Sequence, residues 1–268
     1  MGILQVIICI YILSKSKHYS MEKYKVSSAG DNKLFLVTGC YRKLCHTMKN
    51  LKNDRGKIVH VIGAPGTGKS ANIYHAIDDL DLNVYEMRSH LKSVHASSKQ
   101  VFSTMFEGVS RDLGVESKEE IYRKLSGYDA VLIADGFHDL HNIDPKYVGF
   151  SKWTYYSGFK AIYFYLLCIH EYIRHRKYFK SINIILQTAW RIHILGKKYD
   201  LFSDLGLFSR ILVSILNIFF DVVQICYSEN ETIEIVKMHV KDADIETVRQ
   251  YIQKYGHKPR FICDALKK

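Results

Sequence analysis

The sequence predicts an α/β fold of three layers, α/β/α, with a mostly parallel central sheet and, near the C-terminus, a β-hairpin followed by a helix. Three short apolar runs carry the prediction: Ile58, Val59, Val61 and Ile62, then Ala130 to Ala134, then Ile182 to Leu186. Runs of that length without polar alternation mark strands buried on both faces, as parallel strands are. Longer segments with helical periodicity separate them, and strands that alternate with helices form an open sheet covered on both sides.

The elements follow in order. Gly56 to Ile62 reads as a turn into a buried strand, Ala71 to Leu80 as a helix, and Leu82 to Met87 as a second short strand. Val101 to Leu113 and Lys118 to Leu125 have helical spacing. Ser117 can cap the second of these, and Glu119 and Glu120 stand in its first turn, where the positive end of a helix favours carboxylates. Ala130 to Ala134 ends in Asp135. Gly158 to about Tyr178 is a long, aromatic-rich helix, and the aromatic stripe in Trp153 to Tyr165 reads as core rather than as a base-stacking platform. Phe220 to Tyr227 and Thr232 to Val240 flank Ser228-Glu229-Asn230-Glu231, the pattern of an antiparallel hairpin. Ile245 to Tyr255 is a helix stopped by Gly256, with Pro259 beyond it. The expected division is an apolar and basic extension over 1–30, the α/β domain over 31–242 and a helical appendage over 243–268.

Composition sets the outer bounds. With 47% apolar and 24% charged residues in 268, wholesale disorder is excluded. A formal net charge of +11 makes a polyanion such as nucleic acid a candidate partner, against the plainer reading of a solvated basic surface. The basic residues thicken at Arg42 to Lys57, Arg174 to Lys180 and Lys254 to Lys268. Six cysteines show no C-x-x-C pair, so reduced thiols in a cytoplasmic protein fit best. Ile3 to Leu13 is apolar apart from Gln5 and is followed by Lys15, Lys17, Lys23 and Lys25. That run is too short to span a bilayer. It reads as a buried element, a weak membrane anchor, or an upstream extension with Met21 the true start.

One motif carries chemistry. Gly63-Ala64-Pro65-Gly66-Thr67-Gly68-Lys69-Ser70 has the phosphate-loop spacing, with a strand before it and a helix after it. Glycines let backbone N–H groups converge on phosphate oxygens, and the next helix presents its positive end to the same anion. Lys69 would reach the β and γ phosphates, and the Ser70 hydroxyl would ligate Mg2+. Asp135, at the tip of a buried strand, can hold the Mg2+ water shell or simply cap a loop. Gly136 occupies the position where many ATPases carry the catalytic acid. Glu86, at the end of the second strand, is the candidate replacement as general base, with Asp139 and His138 behind it. Gln187 and Thr188 follow a buried strand and could sense the γ-phosphate. Arg210 reads equally as an arginine finger or a surface residue. The spacing of His138, Asp139, His141 and Asp144 matches no helix-borne metal motif.

The order of these parts resembles the RecA/KaiC-like branch of P-loop NTPases, from Val37-Thr38-Gly39 to about Lys241 and most closely over Gly56 to Ser70. That resemblance implies ATP with Mg2+, a catalytic glutamate at Glu86, a metal-site aspartate at Asp135, a γ-phosphate sensor at Gln187, and closing antiparallel strands carrying Lys237. A second likeness competes. Gly256-His257-Lys258-Pro259-Arg260 before Ile262 and Leu266 is similar to the sensor-2 helix of AAA+ ATPases, which would bring Arg260 to the γ-phosphate from a helical lid. The missing acid after Asp135 and the expected hairpin weigh against it. Both likenesses imply a homo-oligomer. Together with the charge they point to a nucleic-acid-associated motor or switch. The alternatives are a regulatory ATPase acting on a protein partner and a nucleotide-binding protein without catalysis.

Overall fold

Ile58–Ile62 forms β1, and its position explains its composition. In the computed structural model, which describes residues 34–87, 91, 93–127, 130–134, 147, 159–194 and 197–268, β1 lies between two other strands and pairs in parallel with both. β2 is Val84–Glu86, β3 Val131–Ala134 and β4 Asn183–Thr188. β5 (Arg191–Ile194) and β6 (Lys197–Asp200) form a separate antiparallel pair, and β7 is Asp221–Gln224. The main sheet has the order β2-β3-β4-β1-β7 and is parallel throughout.

Helices cover both faces. α1 (Gly39–Lys49) and α2 (Lys69–Leu80) lie on one, where Leu44, Met48, Ile73 and Ala76 meet Val59, Val61, Ile133, Ile185 and Val223. The other face holds α3 (Ser98–Leu113), α4 (Lys118–Gly127), α5 (Phe159–Arg174) and the short α6 (Arg176–Phe179). There Met105, Ile121, Tyr122, Phe164 and Phe179 meet Ile62, Leu132, Ile184, Leu186 and Val222. Successive strand residues thus feed opposite cores, and each fully buried large apolar side chain contributes about 1.5–3 kcal/mol. This is the expected three-layer α/β/α fold, its five-stranded central sheet wholly parallel.

Local chemistry sets the helix ends. The α3 start is a capping box in which Ser97 and Gln100 satisfy each other's backbone N–H groups. The single helix expected over 158–178 is broken at His175, whose φ of −112° and ψ of 21° leave the helical region and let α6 turn Phe179 into the core. α1, the β5–β6 pair and α7 (Leu207–Asn217) fall where no element was expected.

The C-terminal hairpin does not form. β7 is present, but residues 229–239 are helix α8 (Glu229–His239), and β7 already pairs in parallel with β1. The supposed turn is a second capping box. Ser228 Oγ accepts from the Glu231 N–H at 3.2 Å, and Glu231 Oε2 accepts from the Ser228 N–H at 2.9 Å. Thr232, Ile233 and Val236 then share one helical face and are buried. With α9 (Ile245–Tyr255) and α10 (Pro259–Leu266), α8 encloses a separate core of Ile233, Val236, Val248, Ile252, Ile262 and Cys263. No helix among the described residues is long and apolar enough to cross a membrane, and the apolar run at 3–13 lies outside the described residues.

At the end of the sheet opposite the phosphate loop, Asn183 fastens β4 to the approach to β1. Its Oδ1 accepts from the Lys57 N–H at 3.0 Å, and its Nδ2 donates to the carbonyls of Leu51 (2.8 Å) and Asp54 (2.7 Å). Asn183 is 1% exposed, so losing these bonds strands buried backbone groups. Asn183→Ala is expected to cost about 1–3 kcal/mol of stability in urea denaturation. An unchanged midpoint would show that water replaces the amide.

Candidate nucleotide site

The loop leaving β1 turns through three glycines at positive φ: Gly63 at 153°, Gly66 at 87° and Gly68 at 75°. Gly68 is the left-handed N-cap of α2, so the first amides of that helix face the loop's concavity. The loop holds itself in shape. Thr67 Oγ1 donates to the Ala64 carbonyl at 2.8 Å, and the Lys69 ammonium, 6% exposed, donates to the carbonyls of Gly63 (2.9 Å) and Ala64 (3.1 Å). Those are bonds that phosphate oxygens could take over. The residues fit a polyphosphate: a glycine cradle, a helix N-terminus and a cation at its mouth.

The sequence-derived candidates fall into three groups. Gln187 is brought to the loop, because β4 pairs with β1 in a register that sets Val61 against Gln187. Its Oε1 accepts from Ser70 Oγ at 3.2 Å. Thr188, beside it, bonds instead to His60 Nε2 at 2.9 Å. Glu86 sits on the edge strand, beside β3, with β3 and β4 between it and β1. It faces α2, where its Oε1 accepts from the Tyr74 hydroxyl at 2.7 Å. Asp135 lies outside the described residues, as do His138, Asp139, His141 and Asp144. Arg210 is exposed on α7. Among the described residues no three His, Cys, Asp or Glu side chains gather as a metal site.

The largest addition to the sequence reading is the position of α10. The Arg260 N–H donates to the Gly66 carbonyl at 3.2 Å, and a Cβ on Gly66 would stand 3.1 Å from the Phe261 ring. The C-terminal bundle is therefore seated on the phosphate loop itself. Pro259 at the first helical position, with its fixed φ, starts α10 at that contact. A second tie is ionic. Lys258 Nζ lies 3.0 Å from Asp204 Oδ2, both side chains about one-fifth exposed. Burial would raise the Asp204 carboxyl, but the Asp200 N–H and the Lys258 ammonium outweigh it and hold the group below the usual carboxylate range.

Asp200 is the buried partner of this arrangement. It is 1% exposed and accepts from the backbone N–H of Trp190 and Phe202 and from Ser203 Oγ, each at 3.1 Å. Burial raises its pKa, opposed chiefly by the positive charge of Lys69. The hairpin β5–β6 thus delivers a carboxylate into the field of the loop lysine. On the other side of the loop, Asn72 Nδ2 donates to the Gly68 carbonyl and to Tyr227 Oη, both at 2.9 Å. Asp200, Asp204 and Phe261 carry no local motif. Lys258 belongs to the run Gly256 to Arg260, the sequence signal for this region.

No family model matches the sequence, and no curated protein does. Among solved structures, the crystal structure of Cdc6p from Pyrobaculum aerophilum is similar over 89% of this chain and 63% of that one, with 11% identity and a TM-score of 0.46. The chain thus spans less than two thirds of that protein's length.

His60, in β1 beneath the loop, gives the region a pH signature. It is fully buried between Phe202 and Phe220, its Nδ1 has no partner among the described residues, and burial pushes its pKa down to about 3. From pH 6.5 down to about 3 the unfolded chain takes a proton that the folded one refuses, so stability falls as pH falls through that window. The slope from this group reaches about 1.4 kcal/mol per pH unit. In urea titrations at pH 6.5, 5.5 and 4.5, His60→Asn is expected to lose stability less steeply than the parent. Parallel curves would show that His60 protonates in place.

Proposed function

We propose that this chain binds Mg·ATP at residues 63–70 and hydrolyses it, and that the α8–α10 bundle is a lid whose seating reports the nucleotide. The observation that carries the reading is the bond from Arg260 to Gly66 with Phe261 packed over the same glycine. A γ-phosphate in the loop would lie beneath α10, so gain and loss of that phosphate would alter the lid's seat. This favours the AAA+ likeness over the RecA/KaiC-like one, since a three-helix bundle stands where the closing antiparallel strands were expected.

The residue roles extend the same reading. Lys69 would exchange its two carbonyl bonds for phosphate oxygens, and Ser70 with Asp135 would hold Mg2+, which neutralises charge on the β and γ phosphates when bound. Gln187, which accepts from Ser70 Oγ, would sense the γ-phosphate. Arg260 is assigned to the γ-phosphate through the AAA+ likeness. Glu86 remains the candidate base, and its bond to Tyr74 would have to open for it to address a water. That bond equally favours a second reading, in which nucleotide is bound without turnover.

The partner reading rests on the charge of +11, which favours a nucleic-acid-associated motor or switch. Leu207, Phe208 and Ile211, at 72%, 56% and 50% exposure, put an apolar row beside Arg210 on α7, which supports assembly of copies of the chain.

Calorimetric titration with Mg·ATP should show binding by the parent chain, weakened about 10–100-fold in Lys69→Ala, the equivalent of one charged hydrogen bond. Equal binding by both would remove the loop from the site. Phosphate release should fall about 100-fold or more in Glu86→Gln. An unchanged rate would place the base elsewhere, and binding without any release by the parent would establish the second reading. Duplex DNA should raise the rate in low salt, and a flat response would remove the nucleic-acid-driven motor role.

A further inference from the structure

We propose that the end of the sheet opposite the phosphate loop is a binding surface for the phosphate backbone of duplex nucleic acid. The inference deepens the nucleic-acid reading above and rests on it. It does not depend on hydrolysis.

Two basic runs far apart in sequence meet there. Residues 49–57 and 174–180 together contain eight Lys or Arg and a single acidic residue, Asp54. Every strand of the main sheet is parallel, so the chain enters all of them at one end and reaches the phosphate loop at the other. The first run leads into β1 and the second into β4, which are hydrogen-bonded neighbours, about 4.8 Å apart. The two backbones are also fastened together. Asn183 binds the Lys57 N–H and the carbonyls of Leu51 and Asp54, and the Ile184 N–H donates to the Lys57 carbonyl at 2.9 Å. Gly56 lies so close to Lys180 that a Cβ would stand 2.4 Å from its carbonyl oxygen. Close packing of backbone thus concentrates cations that sequence separates.

Lys49, Lys52, Arg55 and Lys57 from one run and Arg176 and Lys180 from the other are all exposed. Two of the lysines in these runs, Lys57 and Lys177, meet carboxylates in exposed pairs, and Asp221, exposed at the start of β7, lies at the same end. Asp54 stands 3.8 Å from Lys57 with both side chains nearly half exposed, and Glu119 answers Lys177 at 3.1 Å, likewise in solvent. Exposed pairs of that kind are weak and open readily to a better anion. Like charges held on one surface raise its potential, and a polyanion that releases its own counterions relieves this.

The same residues disfavour a lipid surface. Membrane-bound faces add a broad set of apolar side chains to their cations, whereas here Leu51 and Phe179 are 1% and 3% exposed and Ile173, next to Arg174, is a single exposed apolar neighbour at 65%. The surface is also remote from the lid, so nucleic acid and nucleotide could be held together.

The test is fluorescence anisotropy with a labelled 20-base-pair duplex of mixed sequence, titrated with the full chain between 50 and 200 mM salt. The parent should bind, with a salt slope of about 0.9 per phosphate contacted. Lys52→Glu/Lys57→Glu/Lys180→Glu should weaken binding about tenfold or more at the lowest salt and reduce the slope by about 2–3. Lys254→Glu/Lys267→Glu/Lys268→Glu, which changes net charge equally, should stay within about twofold, and Lys69→Ala should bind duplex like the parent. Circular dichroism confirms that each variant is folded. Parent-like binding by the first triple variant, or equal loss in both, would overturn the surface while leaving nucleic acid as a partner. Absence of parent binding, or binding only to phosphatidylserine vesicles, would overturn both.

Discussion

The glycine loop and the C-terminal bundle meet at Gly66. Its φ of 87° strains any residue with a side chain, and a Cβ there would press on the Phe261 ring at 3.1 Å. From that contact the rest of the site follows. α10 starts at Pro259, the Arg260 N–H finds the Gly66 carbonyl, and the lid's small core fixes where the remaining helices lie. A lid that merely hung from the chain could not register what the loop holds. One packed against the loop backbone, as proposed here, would register it.

Electrostatics reinforces the same joint. Lys69 rests on two loop carbonyls while its charge tempers the buried Asp200. Asp200 in turn organises the turn that carries Asp204, and Asp204 holds Lys258 at the root of α10. A phosphate drawing on Lys69 would change the field at Asp200, and that residue is two hydrogen bonds from the lid. The pair is partly buried, so solvent screens it less than a surface pair.

Much of the central sheet was legible because buried parallel strands leave continuous apolar runs, and β1, β3 and β4 appear within a residue or two of where such runs lie. The phosphate loop was legible because backbone conformation there demands glycine at fixed offsets. The hairpin was misread for a physical reason: Ser-x-x-Glu serves a helix start as well as a turn, and Thr232 to Val240 is β-branched enough to imitate a strand. The helical face that buries Thr232, Ile233 and Val236 decided the outcome. Asp200 and Asp204 were invisible because their significance comes from tertiary placement. The same holds for the basic runs, whose juxtaposition depends on strand order and on one buried asparagine.

Hydrogen exchange on the intact chain, with and without a non-hydrolysable Mg·ATP analogue, addresses the joint directly. Amides of 63–70 and of 258–266 should slow together when the analogue is present, and in Phe261→Ala the loop should still be protected while the helix is not. Protection confined to the loop in the parent chain would separate the lid from the nucleotide, and no change at 63–70 would contradict phosphate binding there altogether.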